Sequence, residues 1–224
     1  MKIGIILAMD IEYRKMLHAL GGTPESKYAG NDIILTQSGM GKVNAAINTT
    51  QLIVDKHPDC ILSTGLAGGL GKDVHQRDIV IAKQTVYHDV WFSTPNAWGQ
   101  VQGLPARYDA DEGLLNAAIH QCQAKGLQPH EGLICTGDLF VTTQVEADAI
   151  RNHFPEALAC DMESAAIAQT CHRFHTPFLS MRLVSDTPGN TANHSQQWED
   201  FLDSMAEQTF QWVIYLLEAL EQQQ

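Results

Sequence analysis

Residues 157–171 read ALACDMESAAIAQTC, and this stretch joins an apolar run to a helix-like run through two carboxylates. The apolar run predicts a strand from Ala157 to Met162, and the small and apolar residues after it predict a helix from Ser164 to Phe174. Asp161 and Glu163 lie at the junction. Carboxylates are rarely buried without a partner or a chemical task, because the charged form loses its hydration. The stretch therefore predicts a strand and a helix with polar chemistry between them.

The same alternation of strands and helices continues through the chain. It is typical of a mostly parallel sheet with helices on both faces. Since the strand predicted at Ile79–Tyr87 follows that at Cys60–Thr64 without room for a helix, we expect a mixed sheet. The fold class is therefore α/β, with a three-layer αβα architecture and a mixed central sheet, and residues 1–224 form a single domain. The other predicted strands are Lys2–Met9, Ile33–Gln37, Leu133–Thr136 and Phe178–Val184, and the other helices are Ile11–Leu20, Val43–Lys56, Gly113–Lys125, Ala147–His153 and Trp198–Leu220, followed by a frayed tail at Glu221–Gln224.

Composition limits the possible partners. The chain has 224 residues, 44% of them hydrophobic, and a formal net charge of -12. The negative charge disfavours nucleic acids and anionic membranes as partners, and the N-terminal apolar run meets Asp10 and Glu12 before it reaches membrane-spanning length. The five cysteines form no C-x-x-C pair and lie mainly in apolar stretches, which indicates reduced thiols. We expect a cytoplasmic protein that binds a small molecule.

Carboxylates recur at the predicted strand ends. Five ends carry MDIE, TGLAGGLG, TGDLF, DMES and RLVSD, and four of these contain an acid. Ligands of α/β sheets bind beyond the carboxyl ends of the strands, so paired acids there, without a nucleophilic Ser or Cys motif, indicate general acid and base catalysis. Each acid also has a structural explanation when taken alone. Glu12 and Glu163 suit helix starts, and Asp186 suits a turn.

Other motifs do not support a cofactor. GLAGGLG lacks the GxGxxG spacing, and SGMGK lacks the first glycine of a phosphate-binding loop. His172 and His175 lie three residues apart on a predicted helix, but no carboxylate accompanies them at helical spacing. We expect neither a metal nor a nucleotide cofactor. The aromatic segment from Trp91 to Tyr108 is too long for a simple connection, and we expect it to line a site or an interface.

Six blocks of sequence together resemble one family. MKIGIILAMDIE, SGMGKVNAA, STGLAGGL, GLICTGDLFV, DMESAAIA and PFLSMRLVSD follow one another in the order and spacing of bacterial 5'-methylthioadenosine/S-adenosylhomocysteine nucleosidases, within the nucleoside phosphorylase superfamily. The resemblance covers nearly the whole chain and implies a three-layer αβα phosphorylase-type fold with a mixed central sheet. It implies hydrolysis of the N-glycosidic bond of 5'-modified adenosines to adenine and the 5'-modified ribose, a reaction of methionine salvage.

The resemblance also implies catalytic roles. Glu12 resembles the base that activates the attacking water, Arg182 a group that holds this water and Glu12, and Asp186, backed by Ser185, the acid that protonates N7 of the purine. Cleavage builds positive charge on the ribose and negative charge on the departing adenine, so an acid and a base on opposite sides suit the reaction. Asp186 then needs a raised pKa, whereas Glu12 must stay ionised.

The remaining implied residues bind substrate. Glu163 resembles the glutamate that accepts hydrogen bonds from the ribose hydroxyls, and Met162 the side chain beneath the sugar. Phe140 would stack on the purine, and the backbone of Val141 would contact its N6 and N1 edge. The substrate-binding set implied in this way is Met9, Ala67, Gly68, Phe140, Val141, Met162, Glu163, Arg182 and Ser185.

Departures from the family pattern leave alternatives open. Leu66 stands where many of these nucleosidases have Ser, so one hydroxyl near the catalytic water is missing, and Asp161 stands where many have Glu, which leaves Asp161 a structural or a catalytic role. In the segment 91–108, Thr94 and Gln102 lie near positions that are usually aromatic or proline, so the choice among methylthio, homocysteinyl and 5'-deoxy substrates stays open.

Other functions and an assembly are also considered. The DME sequence occurs in AMP nucleosidases and futalosine hydrolases, so a hydrolase or phosphorylase of another purine nucleoside is an alternative, as is a non-catalytic nucleoside-binding protein. Retention of Glu12, Glu163 and Asp186 favours catalysis, and the acidic loop after the first strand disfavours a phosphate site. We also expect a homodimer in which the segment 91–108 helps to close the partner's pocket for the 5' substituent.

Overall fold

The computed structural model describes residues 1–189, 194–204 and 210–221. In this part of the chain the strands are β1 (Lys2–Leu7), β2 (Glu25–Tyr28), β3 (Asn31–Gln37), β4 (Cys60–Gly69), β5 (Ile79–Tyr87), β6 (Tyr108–Asp109), β7 (His130–Thr136), β8 (Ala157–Asp161) and β9 (Phe178–Asp186). The helices are α1 (Asp10–Ala19), α2 (Lys42–Lys56), α3 (Glu112–Ala124), α4 (Gln144–His153), α5 (Ser164–Phe174), α6 (His194–Asp203) and α7 (Gln211–Glu221).

The strands form one mixed sheet, as predicted. Its order is β2-β3-β1-β4-β8-β7-β5-β6, and β9 pairs with both β4 and β5. Strand β9 runs parallel to β4 and antiparallel to β5. Because β9 joins these two strands, β4, β8, β7, β5 and β9 form a closed ring of strands within the sheet. The pairs β1 with β3 and β7 with β8 are parallel, whereas β4 meets β8 in antiparallel register.

Helices cover both faces of the sheet, which confirms the three-layer architecture. On β1, Ile3, Ile5 and Leu7 share a core with α1, α3 and α7, while Ile6 belongs to a second core with α2 and α5. This division follows from the two-residue period of strand side chains. Gly4 lies on the α2 side, where an added Cβ would come within 2.8 Å of Leu52 Cδ2. Helix α2 therefore packs directly against the backbone of β1.

Two strands of the structure were not predicted from the sequence. Strand β2 has the polar sequence ESKY with alternately exposed residues, and β6 contains only two residues. Both depend on pairing with a neighbouring strand, β3 for β2 and β5 for β6. The predicted strand Lys2–Met9 is also shorter in the structure, because β1 ends at Leu7.

The single C-terminal helix predicted from Trp198 to Leu220 is wrong. Helix α6 ends at Asp203, Ser204 lies in a turn, and α7 begins at Gln211 after a turn residue at Phe210. Residues 205–209 lie outside the described part of the chain, as do residues 222–224 of the predicted tail. Both helices pack against the same core, since Phe201 of α6 and Trp212 of α7 belong to the core shared with α1 and α3.

The segment 91–108 contains no helix, and only its last residue belongs to a strand. Aromatic stacking fastens it to α4. The Trp98 ring lies 3.7 Å from the His153 ring with the planes nearly parallel, and the Trp91 ring stacks on Trp98 at 5.1 Å. Among the described residues, none of the helices is long and apolar enough to cross a membrane.

Candidate active site

A cavity of about 380 Å³ lies at the carboxyl ends of β1, β4, β8 and β9. All the predicted site residues except Arg182 line it, so the structure brings together side chains that are up to 177 positions apart in the sequence, from Met9 to Asp186. The complete lining consists of Ala8, Met9, Glu12, Met40, Leu66, Ala67, Gly68, Leu139, Phe140, Val141, Cys160, Asp161, Met162, Glu163, Ser185, Asp186 and Trp198. The acids of three separate strand ends therefore face one space.

Glu12 lies in the first turn of α1, and its carboxylate accepts hydrogen bonds from three backbone N–H groups. Its Oε1 accepts from Leu66 N at 2.8 Å, and its Oε2 accepts from Met9 N at 2.8 Å and Ala8 N at 3.2 Å. Gly65 makes this approach possible, because a Cβ there would lie 2.7 Å from Glu12 Oε1. Burial raises the pKa of Glu12 above the ordinary 4.5, while the hydrogen bonds and the charge of Arg182 act in the opposite direction.

Glu163 lies at the start of α5 and is also buried. Its Oε1 accepts a hydrogen bond from Gly41 N at 2.8 Å, which connects the carboxylate to the start of α2. Burial, and then repulsion from Asp161, raise the pKa of Glu163 to about 7, although Arg182 and the Gly41 N–H act against this shift. Near neutral pH, Glu163 is therefore present in both its protonated and its ionised form.

The raised pKa of Glu163 predicts how stability depends on pH. In the folded state the proton binds more tightly than in the unfolded chain, so the stability that protonated Glu163 contributes is complete below about pH 4.5 and is lost as the pH rises through about 7. In the variant Glu163→Gln the amide cannot titrate and keeps an oxygen for the Gly41 N–H. The quantity to compare is the free energy of unfolding of this variant minus that of the parent. This difference should be about 3 kcal/mol larger at pH 8 than at pH 4.5.

Denaturant melts of both proteins at intervals between pH 4.5 and 8 measure this difference. A difference that stays constant over the range would contradict the raised pKa.

Asp186 ends β9 and is 1% exposed. Ser185 Oγ donates to its Oδ1 at 2.5 Å, and the backbone of Ser185 is itself held by a side chain, since Gln76 Nε2 donates to Ser185 O at 2.7 Å. A Cβ at Gly68 would lie 3.4 Å from Asp186 Oδ2. The carboxyl group therefore lies close to the backbone of β4 at the cavity wall.

Asp161, the second acid of the DMES stretch, has a full set of donors. Its Oδ1 accepts from Thr136 Oγ1 at 2.6 Å, and Ser164 donates to it through both its backbone N–H and its hydroxyl. Arg182 Nε donates to Asp161 Oδ2 at 2.8 Å in an almost completely buried ion pair. Asp161 thus joins β7, α5 and β9, and this geometry favours the structural alternative for its role.

Arg182 lies outside the cavity lining. Besides Asp161, it donates through Nη2 to Ser63 Oγ at 2.9 Å, and it is 2% exposed. It influences Glu12 and Glu163 through its charge, which favours the ionised form of each carboxylate. Its role in holding Glu12 and the water stays a prediction.

The rest of the cavity lining is largely aromatic and apolar. Phe140, in the loop after β7, is 47% exposed and its ring lies 5.6 Å from the Trp198 ring at 66°. Val141 beside it is buried. The sequence interpretation missed Met40, Leu139 and Trp198 as lining residues. Trp198 carries no recognisable signal, since its helix looks amphipathic, whereas Met40 and Leu139 lie inside blocks already noted for their glycines and acids.

The arrangement suits acid and base catalysis on a small, mostly apolar ligand. Carboxyl groups and an exposed aromatic ring line the same cavity, so a ligand with a flat ring and a hydroxylated group could contact both. Within the described residues no group of three or more His, Cys, Asp or Glu side chains is arranged to hold a metal ion.

Comparisons with known proteins agree with this geometry. A sequence model of the phosphorylase superfamily matches residues 2–218. A 5'-methylthioadenosine/S-adenosylhomocysteine nucleosidase of Geobacillus kaustophilus (strain HTA426) is 40% identical, with 99% of each chain covered. The crystal structure of the corresponding nucleosidase from Neisseria meningitidis, in complex with methylthio-immucillin-A, superposes with a TM-score of 0.90 at 36% identity and covers 97% of this chain and 98% of that chain.

A more distant likeness is to futalosine hydrolase of Helicobacter pylori strain 26695, with a TM-score of 0.89 at 27% identity and 97% of each chain covered. The fold and the acid-lined cavity define an α/β enzyme of the phosphorylase type. The chain belongs to the phosphorylase superfamily and, within it, to the 5'-methylthioadenosine/S-adenosylhomocysteine nucleosidase family.

Proposed function

We propose that this chain hydrolyses the N-glycosidic bond of 5'-modified adenosines, releasing adenine and the 5'-modified ribose. 5'-Methylthioadenosine and S-adenosylhomocysteine are the proposed substrates, and 5'-deoxyadenosine is a further candidate. The observation that carries the proposal is the convergence of Glu12, Glu163 and Asp186 on one cavity that Phe140 also lines. The 40% identity to a named nucleosidase over nearly the full chain supports it.

The proposed mechanism assigns one task to each acid. Glu12, when ionised, takes a proton from the attacking water, and Glu163 accepts hydrogen bonds from the ribose hydroxyls. Asp186 donates a proton to N7 of the purine, with Ser185 fixing the orientation of its carboxyl group. Positive charge that develops on the ribose is then stabilised by the carboxylates, and negative charge on the adenine is removed by protonation. Phe140 would stack on the purine, and Val141 would contact its edge through the backbone.

Hydrolysis is favoured over phosphorolysis by the hydrogen bonds at the end of β1. A phosphate needs free backbone N–H groups or arginines. The N–H groups of Ala8, Met9 and Leu66 already donate to the Glu12 carboxylate, which would also repel an anion. The base that activates water thus occupies donors that a phosphate would use.

The reaction is expected to proceed without phosphate or added metal. 5'-Methylthioadenosine, S-adenosylhomocysteine and inosine are each incubated with the protein, with and without phosphate, and the products are separated by chromatography. For each of the first two substrates, adenine should appear at the same rate with and without phosphate, since water is the nucleophile. An absolute phosphate requirement, a sugar phosphate product, or cleavage of inosine alone would refute the proposal. Futalosine as a further substrate tests the alternative suggested by the hydrolase of Helicobacter pylori.

We also infer a homodimer, in which the segment 91–108 helps to close the partner's pocket for the 5' substituent. No residue of this segment lines the cavity of its own chain, and the side chains of Trp91 and Phe92 are 50% and 60% exposed. Helix α2 adds an apolar exposed face with Val43, Ile47 and Val54. Exposed apolar side chains in such numbers are typical of subunit interfaces.

The dimer is expected to persist at assay concentrations in light scattering. Ile47→Asp places a charge in the apolar face of α2 and should shift the protein towards monomers with lower activity. A parent protein that is monomeric and fully active would refute this assembly. A cytoplasmic location and a place in methionine salvage are proposed as well, the former supported by five buried cysteines that are all free thiols.

A further inference from the structure

An ion-pair cluster beside the cavity has no role in the mechanism so far. Lys42, the first residue of α2, donates through Nζ to both carboxylate oxygens of Asp89, at 2.8 and 2.7 Å, and lies 3.7 Å from Asp138 Oδ2. Asp138 N donates to Asp89 Oδ2 at 2.9 Å. These three residues, named here the Lys42 clamp, connect α2 to the loop after β5 and to the loop after β7.

The Lys42 clamp is directly continuous with the candidate active site. Asp138 Oδ1 accepts the backbone N–H of Lys42 at 2.8 Å, and the preceding N–H, that of Gly41, donates to Glu163 Oε1 at 2.8 Å. Two successive N–H groups therefore point to the clamp and to the proposed ribose-binding carboxylate. Gly41 adopts φ 91°, and a Cβ there would lie 3.1 Å from Asp138 Oδ1, so both its conformation and its small size are required.

The Lys42 clamp differs from an ordinary surface ion pair. The side chains of Lys42 and Asp89 are only 22% and 28% exposed, and the ammonium group lies 5.5 Å from the centre of the Tyr87 ring. Burial would raise the pKa of Asp89, but the hydrogen bonds from Lys42 and Asp138 hold it below the ordinary 3.8. Charge-assisted hydrogen bonds in such partly buried settings are stronger than exposed ones.

We propose that Lys42, Asp89 and Asp138 are positioning residues that hold the Gly41 N–H on Glu163 and fix the loop of Phe140 relative to it. The inference rests on the proposed function for its kinetic consequence but not for its structural one. The Lys42 clamp links α2 to the loop after β7. It thereby sets the distance between the Glu163 carboxylate, which would contact the ribose, and the Phe140 ring, which would stack on the purine. Such separations decide how well a bound substrate matches the transition state.

The test compares Lys42→Met with Lys42→Arg and with Lys56→Met. The last is a matched control, because Lys56 ends the same helix and its Nζ donates to Glu25 Oε1 at 2.7 Å, far from the cavity lining. Three measurements are made on each variant: the hydrogen exchange of the Gly41 amide by NMR, kcat and KM for 5'-methylthioadenosine, and the inhibition constant of free adenine. Asp89→Asn provides a second way to break the clamp.

Lys42→Met and Asp89→Asn should each speed exchange of the Gly41 amide and lower kcat/KM by about tenfold, because the groups that contact the substrate are then held less firmly in position. The inhibition constant of adenine, which lacks a ribose, should change less than the KM of the nucleoside. Lys42→Arg should restore most of both properties, and Lys56→Met should leave both unchanged.

Parent-like Gly41 exchange in both clamp variants would overturn the proposal, as would a kinetic loss that Lys56→Met shares in proportion to its loss of thermal stability. A parent protein that fails to cleave 5'-methylthioadenosine would refute the proposed function alone, since the exchange measurement still decides whether the Lys42 clamp positions Gly41.

Discussion

Asp186→Asn is expected to lower kcat for 5'-methylthioadenosine by about 10² to 10⁴, which corresponds to roughly 3 to 5 kcal/mol of transition-state stabilisation. Asn keeps the size of the side chain and an oxygen that accepts from Ser185 Oγ, but it has no proton to transfer to N7. The loss should appear in kcat more than in KM, and adenine binding should change only a few-fold. Steady-state kinetics and adenine titration measure these quantities.

The alternative role of Asp186 as a turn residue makes a different forecast, because Asn serves the same local geometry. Asp78 offers a matched control, since its Oδ2 accepts from His75 N at 2.7 Å in a turn outside the cavity lining. Asp78→Asn should leave kcat nearly unchanged. If Asp186→Asn folds normally and still cleaves the substrate within a few-fold of the parent rate, the proton comes from another group.

Glu12→Gln is expected to cause a loss of similar size, about 10² to 10⁴ in kcat, because the amide cannot take a proton from water. The substitution also affects stability. Glu12 accepts three N–H groups with its two oxygens, and a glutamine amide would turn a donor towards one side of this cluster. An unsatisfied buried donor costs about 1 to 3 kcal/mol, so thermal melts must accompany the kinetic measurements.

Glu146→Gln is the control that separates catalysis from helix capping. Glu146 lies in the first turn of α4 as Glu12 does in α1, and its Oε2 accepts from Thr142 N and Thr143 N, both at 3.0 Å. It lies outside the cavity lining, so its substitution should lower stability and leave kcat unchanged. Equal kinetic losses in the two variants would mean that Glu12 only caps its helix.

The pH profile gives a second test of Glu12. A general base acts in its ionised form, so kcat/KM should fall as the pH drops through the pKa of Glu12, which burial raises above 4.5. The acid limb of the parent should therefore lie at higher pH than an exposed glutamate would give, and Glu12→Gln should lack the contribution of this group.

The fold was largely predictable because hydrophobic periodicity is a local property. The alternation around β8 and α5 and the short connection from β4 to β5 are visible in the sequence, and they are enough to predict a mixed three-layer sheet. Strands β2 and β6 are not visible in the same way, because they are defined by pairing with β3 and β5. The break between α6 and α7 was missed because both helices carry apolar residues that suit one continuous amphipathic pattern.

The candidate site was partly predictable because acids recur at the strand ends, which indicates acid and base catalysis. The family resemblance then singled out Glu12, Glu163 and Asp186, and all three line one cavity. The pairing of Arg182 with Asp161 was not predictable, because it depends on the register of β8 and β9 around the ring of strands rather than on sequence spacing. Trp198 was also missed, since its contact with Phe140 depends on how α6 folds back over the strand ends.

In the proposed mechanism, the closed ring formed by β4, β8, β7, β5 and β9 fixes the acids independently of the parts that would contact the 5' group. Asp186 ends a strand of this ring, Glu163 follows another, and Glu12 is hydrogen-bonded to Leu66 of a third. A ring has no free edge, so one strand cannot slide or peel away without disturbing its neighbours on both sides. Under the proposed function, we expect differences in the 5' group to be accommodated outside the ring, by Met40, by α6 and by the partner's segment 91–108. Changes in these peripheral parts should then alter the substrate range while the relative positions of the three acids stay the same.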